Sequence, residues 1–323
     1  MTTKTRDIPL DAIRDAAKFV YGAAIRTPLV RVAVPDAPDG LDLYLKLELL
    51  QPIGSFKIRG AVNVMRQLSA AERSEGVWTV SAGNAALGVA YAARQIGVPC
   101  SVMVMDTAPA AKVDAINRLG AAIVRVTYDE AWKTVERHAS DRMRGCFVHP
   151  FDDDRFIAGN ATLALEILED LPDVDAIVGS VGGGGLLSGV LAATSALRPQ
   201  TKVFAAEPET AAPLSASLDA GRPVRFEGWR ASFVDGAGGK SVLETMWPLL
   251  REVSGSIVVT LSEVARAIRV VAEHAHVIAE GAGGCAVAAA LSGRAGRGKI
   301  VAIVSGGNID LSRFFELLQS PNP

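Results

Sequence analysis

The sequence predicts an α/β protein built on mainly parallel, open, twisted sheets, and three observations predict it. Short apolar strand-like runs alternate with stretches of helical periodicity along most of the chain, the pattern of a parallel sheet with right-handed crossovers. Alanine, valine and glycine are abundant while aromatic residues make up 6%, a composition suited to buried strands covered by helices. A chain of 323 residues, 49% hydrophobic, can bury a sizeable core and has the length for two lobes.

The elements follow in order. Residues 10–20 carry helical spacing of apolar positions, and Arg26-Thr27-Pro28-Leu29 is an extended connection, because the residue before proline disfavours the helix. Alternation over 41–47 predicts a strand, and a helix runs from Lys57 to about residue 68. Strands are expected at 77–81, 100–105, 122–126 and 146–149, with helices from Asn84 to near Gly97, over 110–119 and over 129–143. A further round gives a helix at 155–169, a strand at 176–179, a glycine loop, a helix at 186–197 and a strand at 202–207. The glycine-containing stretch 222–239 has little periodicity. It reads as a loop packed at a site, since Trp229, Phe233 and Val234 can bury, with a flexible linker as the alternative. Helices at 262–274 and 283–291, a strand at 300–304 and a closing helix to about Gln319 complete the chain. There is no internal repeat.

Composition excludes some partners. A net charge of −2 without basic clusters argues against nucleic acid. Residues 1–9 lack the apolar run of a signal peptide, and the longer apolar stretches are broken by glycine or charge, so neither secretion nor a membrane span is expected. Cys100, Cys146 and Cys285 are far apart and in no CxxC spacing, which predicts buried thiols in a reducing cytoplasm.

Four stretches can carry chemistry. In Gly54-Ser55-Phe56-Lys57-Ile58-Arg59-Gly60 a lysine lies where an extended segment gives way to a helix. Lys57 is either a solvated surface charge or, held out of water, a neutral amine able to attack carbonyls. Gly182, Gly183, Gly184 and Gly185 follow a strand and open a helix, so their amides can converge on an anion such as phosphate. Neither the dinucleotide spacing nor a Walker lysine is present, and a tight turn without ligand is the alternative. Ser81-Ala82-Gly83-Asn84-Ala85 forms a second strand-to-helix junction that can receive a carboxylate on its amides; Asn84 as a plain N-cap is the competing reading. Ser305-Gly306-Gly307-Asn308 ends the last strand on the same carboxyl edge, where open α/β sheets bind ligands.

In this order the four stretches resemble the fold-type II enzymes dependent on pyridoxal phosphate, the tryptophan synthase β-like fold, and most closely the threonine and serine dehydratase group with its serine racemase relatives. Thr27-Pro28-Leu29, Lys46-Leu47-Glu48, Pro150-Phe151-Asp152-Asp153, Ile157-Ala158-Gly159, Glu207-Pro208 and Glu280-Gly281-Ala282-Gly283 extend the likeness over nearly the whole chain. The resemblance implies two lobes, each on a mainly parallel open twisted sheet: a large cofactor-binding one of residues 1–71 and 149–323, and a small substrate-closing one of 72–148. It implies pyridoxal 5'-phosphate as cofactor, a small amino-acid substrate and a homodimer. Lys57 would carry the cofactor covalently, Phe56 lie beside it, Asn84 bond its phenolic oxygen, Gly182 to Gly185 hold its phosphate and Ser305 meet its pyridine nitrogen. Ser81, Ala82, Gly83, Asn84 and Ala85 would receive the substrate carboxylate. The implied reaction removes water from a β-hydroxy-α-amino acid, giving a 2-oxo acid and ammonia; racemisation and β-replacement are the alternatives on the same fold, and a non-catalytic binding protein is a remote one.

The chain departs from that pattern in places. Ala82 stands where the racemases carry a serine on the face opposite the lysine, which disfavours racemisation. Ala85 and Leu87 replace a histidine and a glutamine usual in the dehydratases, enlarging an apolar space that suits a bulky or aryl β-substituent such as that of phenylserine. The relatives' divalent-cation site would use Glu207, a carbonyl near Ala211 and a further carboxylate, where Pro213 stands, so no metal is expected. The run Asp152-Asp153-Asp154 reads as a solvated helix start, and His274 and His276 do not share a helical face. The role of Glu280 is left unassigned. No regulatory domain is expected after the closing helix.

Overall fold

A computed structural model describes residues 6–35, 37–108 and 110–319, so residues 1–5 of the 1–9 stretch lie outside the described residues. Helix α1 (Leu10–Val20) buries Ile13, Ala16 and Val20 on one stripe. The extended connection expected over residues 26–29 leads into strand β1 (Leu29–Val32), which the sequence reading does not include and which pairs antiparallel with β2 (Leu41–Lys46). Helix α2 (Lys57–Arg66) starts at Lys57, and α3 (Ala70–Glu75) is closed by a capping box between Ser69 and Glu72. Next come β3 (Val77–Val80), α4 (Asn84–Gln95), β4 (Cys100–Met105), α5 (Ala110–Arg118), β5 (Ala122–Val126), α6 (Tyr128–Arg137) and β6 (Cys146–Phe147). Helix α6 is shorter than its periodicity suggests because His138 turns left-handed at φ 56 and caps it.

The chain continues through α7 (Asp154–Asp170), β7 (Ala176–Ser180), α8 (Gly185–Leu197), β8 (Lys202–Pro208), α9 (Pro213–Ala220), α10 (Trp247–Leu250), β9 (Gly255–Val259), α11 (Leu261–Ala275), α12 (Gly281–Leu291), β10 (Gly298–Ile303) and α13 (Leu311–Gln319). Helices α3, α9 and α10 and strand β9 are additions to the sequence reading. Strand β9 pairs in parallel with β8 from Phe204↔Gly255 to Pro208↔Val259.

Two sheets result. The larger has the order β1-β2-β10-β7-β8-β9 and is parallel except at β1; the smaller, β5-β4-β3-β6, is parallel throughout and takes all its strands from within 77–147. The period-2 alternation of the central strands divides the larger core. Ile177, Val301 and Ile303 face α7 and α8, while Ala176, Val178, Ile300 and Ala302 face α11 and α12. The stretch 222–239 is packed rather than free: Val234 and Ala237 are buried and the Trp229 indole donates to the Gly238 carbonyl at 2.9 Å.

A fully buried charge network joins β2, α2 and α7. The Arg59 guanidinium donates to Glu48 at 2.8 Å and to Glu166 at 2.6 Å, and the Lys46 ammonium meets the other Glu166 oxygen. The Thr27 hydroxyl donates to Glu48 at 2.6 Å. Two cations and two carboxylates thus balance, and they anchor α2 two residues beyond Lys57. Cys285 is buried, but Cys100 and Cys146 are only half-buried, correcting the expectation for two of the three thiols; all three are free. No helix among the described residues is long and apolar enough to cross a membrane.

Candidate active site

Parallel strands bring their carboxyl ends to one edge of a sheet, and the junctions that follow β3, β7 and β10 meet there with the segment leading into α2. They line a cleft of about 670 Å³. All the site residues predicted from sequence border this cleft: Phe56, Lys57, Ser81, Ala82, Gly83, Asn84, Ala85, Gly182, Gly183, Gly184, Gly185 and Ser305.

The Lys57 segment is tied to the Ser305 turn by backbone bonds. The Phe56 amide donates to the Ser305 carbonyl at 3.1 Å, and Ser55 bridges Gly306. The Lys57 amine donates to the Pro150 carbonyl at 2.6 Å and lies 5.3 and 5.4 Å from the ring centres of Phe56 and Phe156. No carboxylate pairs with it among the described residues, and burial pushes its pKa down to about 8. The surface-charge reading of Lys57 is thereby replaced by a desolvated amine with nucleophilic capacity.

The glycine run owes its composition to packing as well as to any anion. A Cβ at Gly183 would lie 2.1 Å from the Phe151 ring, and Gly184 adopts φ 93, open to glycine. With those contacts made, the amides of Gly182, Gly183 and Gly184 donate to no acceptor among the described residues, and they sit at the N-terminus of the 13-residue α8. Orphan donors at a helix N-terminus fit a phosphate. Ser305 borders the cleft, and its hydroxyl makes no hydrogen bond to the described residues, so it is available to a ring nitrogen.

Asn84 is not the N-cap of α4. Gly83 holds that position without a side-chain cap, and the Ser81 hydroxyl accepts from the Gly83 amide at 3.0 Å. The Asn84 amide instead donates to Glu280 Oε1 at 2.7 Å and accepts from Asn308 Nδ2 at 2.7 Å. Glu280, unassigned from the sequence, is buried in the cleft wall, and burial together with nearby Asp235 pushes its pKa up to about 7. Its participation, and those of Pro150, Phe151 and Asn308, were missed as individual roles; the Ser-Gly-Gly-Asn turn and the Pro-Phe pair were the available signals. Across the cleft mouth Lys112 of α5 pairs with Asp235. An apolar flank is formed by Leu87, Met105, Ala111, Ala115, Val135 and Phe151.

The acidic groups considered for a cation are otherwise engaged. Glu207 accepts from the Leu214 amide at 2.8 Å, the Ser215 amide at 2.7 Å and the Ser256 hydroxyl at 2.6 Å, so it holds the start of α9. Asp152, expected in a solvated turn, is buried and bonded to Arg6, Thr245 and His138. Asp153 caps α7. His138, His149 and Asp152 cluster closely, yet both nitrogens of His149 are occupied: Nδ1 accepts the Asp152 amide at 2.7 Å while Nε2 lies 3.1 Å from the Val135 carbonyl.

Comparison with known proteins agrees with the geometry. Residues 20–306 match the family described as pyridoxal-phosphate dependent enzyme. An L-threonine ammonia-lyase of Thermotoga maritima is 41% identical over 309 residues, 94% of this chain and 77% of the relative. Human serine racemase is 37% identical over 296 residues, 88% of this chain and 87% of that protein. Among solved structures, maize serine racemase superimposes with a TM-score of 0.87 at 33% identity, covering 97% of each chain. The processed threonine deaminase isoform 2 of Solanum lycopersicum gives 0.84 at 31% identity, covering 99% of this chain and 96% of that one.

Proposed function

Because the chain belongs to the family of pyridoxal-phosphate-dependent enzymes, we propose that it is a dehydratase, an ammonia-lyase that removes water from a β-hydroxy-α-amino acid and yields a 2-oxo acid and ammonia. The observation that carries this reading is Lys57: a buried amine with no carboxylate partner among the described residues, at the floor of a cleft with orphan phosphate-binding amides. The threonine ammonia-lyase relative supports it.

When bound, pyridoxal phosphate supplies the electron-withdrawing ring that acidifies the substrate α-carbon. Gly182 to Gly185 would hold the phosphate, Phe56 would pack beside the ring, Asn84 would donate to its phenolic oxygen and Ser305 would meet its nitrogen. A neutral hydroxyl at that nitrogen leaves the ring a modest electron sink, which favours prompt expulsion of a β-group. The Ser81 to Ala85 junction would receive the substrate carboxylate on the Ser81 hydroxyl and the amides of Ala82, Asn84 and Ala85, since the Ser81 amide donates to the Met103 carbonyl and the Gly83 amide to the Ser81 hydroxyl. Lys57 takes the α-proton as general base, and its resulting ammonium is the chain's own acid for the departing hydroxyl. Ala82 offers no proton on the opposite face, so inversion is disfavoured. The released enamine tautomerises and hydrolyses to the 2-oxo acid and ammonia.

The finer substrate reading is a bulky or β-aryl group, as in phenylserine, placed against Leu87, Met105 and Val135 where Ala85 leaves room. Residues 72–148 act as a smaller lobe that closes over substrate, with Lys112 and Asp235 meeting across the mouth. A cytoplasmic homodimer belongs to the same proposal, and sedimentation of the purified protein measures the latter. The substrate test is 2-oxo-acid release from threonine, serine, 3-hydroxyaspartate and phenylserine in both β-configurations. Phenylserine turning over faster than threonine supports the aryl reading, and the reverse order overturns it.

A further inference from the structure

Four groups beside the Ser305 turn form a hydrogen-bonded series whose direction is fixed from one end. The Ile53 carbonyl can only accept, so the Asn308 atom 2.8 Å from it is the amide nitrogen. That nitrogen carries a second hydrogen and lies 2.7 Å from Asn84, which must therefore turn its oxygen toward Asn308. The nitrogen of Asn84 then faces Glu280 Oε1, also 2.7 Å away. Reversing Asn84 would set its nitrogen against the Asn308 nitrogen and its oxygen against Glu280. Amide orientation is assigned from such partners, and here an unambiguous backbone acceptor begins the assignment.

Two glycines confine the series. A Cβ at Gly306 would come within 2.4 Å of Glu280 Oε1 and 3.0 Å of Asn84 Nδ2, and one at Gly54 within 2.6 Å of Asn308 Oδ1. Only with hydrogen at both positions can the three side chains meet. Glu280 retains an acceptor oxygen whether ionised or protonated, so its bond to Asn84 holds in both states. One hydrogen of Asn84 Nδ2 is used by Glu280. The second has no acceptor among the described residues, and Asn84 borders the cleft.

We propose, on the reading of Asn84 as a cofactor contact, that Asn308 and Glu280 are positioning residues: they fix the Asn84 amide so that it offers an N–H, rather than a carbonyl oxygen, to the phenolic oxygen of pyridoxal phosphate. The phenolic oxygen is an acceptor when ionised, and an amide oxygen turned toward it would repel it. Neither Asn308 nor Glu280 need touch the cofactor for this.

The test is the affinity of the apoprotein for pyridoxal phosphate and the position of the visible band of the bound cofactor, measured on the full chain. Asn84→Ala sets the reference loss. Asn308→Asp is nearly isosteric but replaces the donor by an acceptor; it is expected to weaken binding about tenfold or more, the scale of one polar contact, and to shift the band. Glu280→Gln keeps an acceptor for Asn84 and is expected to stay within about threefold of the parent, whereas Glu280→Leu falls with Asn308→Asp. Thermal unfolding of each apo form identifies a variant that fails to fold, and if Asn308→Asp is one, the Glu280 pair decides the matter. Parent-like affinity and band in Asn308→Asp beside a weakened Asn84→Ala would overturn the positioning role, as would equal affinities for the two Glu280 variants. Parent-like binding by Asn84→Ala would overturn it by removing the contact on which it stands.

Discussion

The Lys57 amine donates to the Pro150 carbonyl at 2.6 Å, so the nucleophile of the site is held by a neutral oxygen rather than by a carboxylate. A carboxylate there would favour the ammonium form. The carbonyl orients the amine without the charge that would keep it protonated, and burial pushes its pKa down to about 8.

In the apoprotein, acylation of Lys57 by an amine-selective reagent should therefore rise with a midpoint near pH 8, two or more units below an exposed lysine. Peptide mapping of the modified residue measures it. A midpoint near the ordinary 10.5 would contradict the desolvated amine. Lys57→Ala should show neither the visible band of a covalently held cofactor nor turnover.

Glu280 gives a pH dependence of stability with a definite sign. Its pKa is raised from 4.5 to about 7, so the native protein binds more protons than the unfolded chain between those values. Stability contributed by this group is thus present at low pH and lost as pH rises through about 7, a difference of roughly 3 kcal/mol. The apo melting temperature of Glu280→Gln relative to the parent should increase from pH 5 to pH 8. A constant difference would mean that Glu280 titrates normally.

The buried network around Arg59 predicts a large single-site effect. Arg59→Met leaves Glu48 and Glu166 with Lys46 as their only cation, and breaking such a pair by removing one partner costs about 3–5 kcal/mol. Urea unfolding of the apo form measures it. An unchanged midpoint would show that the network contributes little.

On the proposed reading, Ala82→Ser would place a hydroxyl on the face opposite Lys57. Chiral analysis of incubations with L-serine should then reveal the D-enantiomer, with none expected from the parent. Failure of any inversion to appear would count against Ala82 as the reason for one-sided chemistry.

Since three donors already occupy Glu207, a chelator should leave turnover unchanged. Strong inactivation reversed by magnesium would instead reveal a cation requirement.

Much of this site was legible in the sequence because backbone geometry leaves marks in composition. Gly182 to Gly185, the small residues before Asn84 and the lysine at a helix start all record junctions between strand and helix. Partnerships over long separations leave no such mark. Asn84 and Glu280 are 196 positions apart, and Arg59 and Glu166 are 107 apart, so only the fold brings them together. Local patterns also misled where a single residue stopped an element: His138 ends α6 with a left-handed conformation that its periodicity does not announce. Strand β1 lies at the sheet edge, its burial does not alternate, and it is defined by pairing with β2.

The most direct test of the proposed elimination is incubation of the pyridoxal-phosphate-loaded protein with its best β-hydroxy-α-amino acid in deuterium oxide, followed by analysis of both product and recovered substrate. The account predicts 2-oxo acid and ammonia in equal amounts, with recovered substrate free of the inverted enantiomer. Accumulation of inverted, α-deuterated amino acid without 2-oxo acid would contradict it.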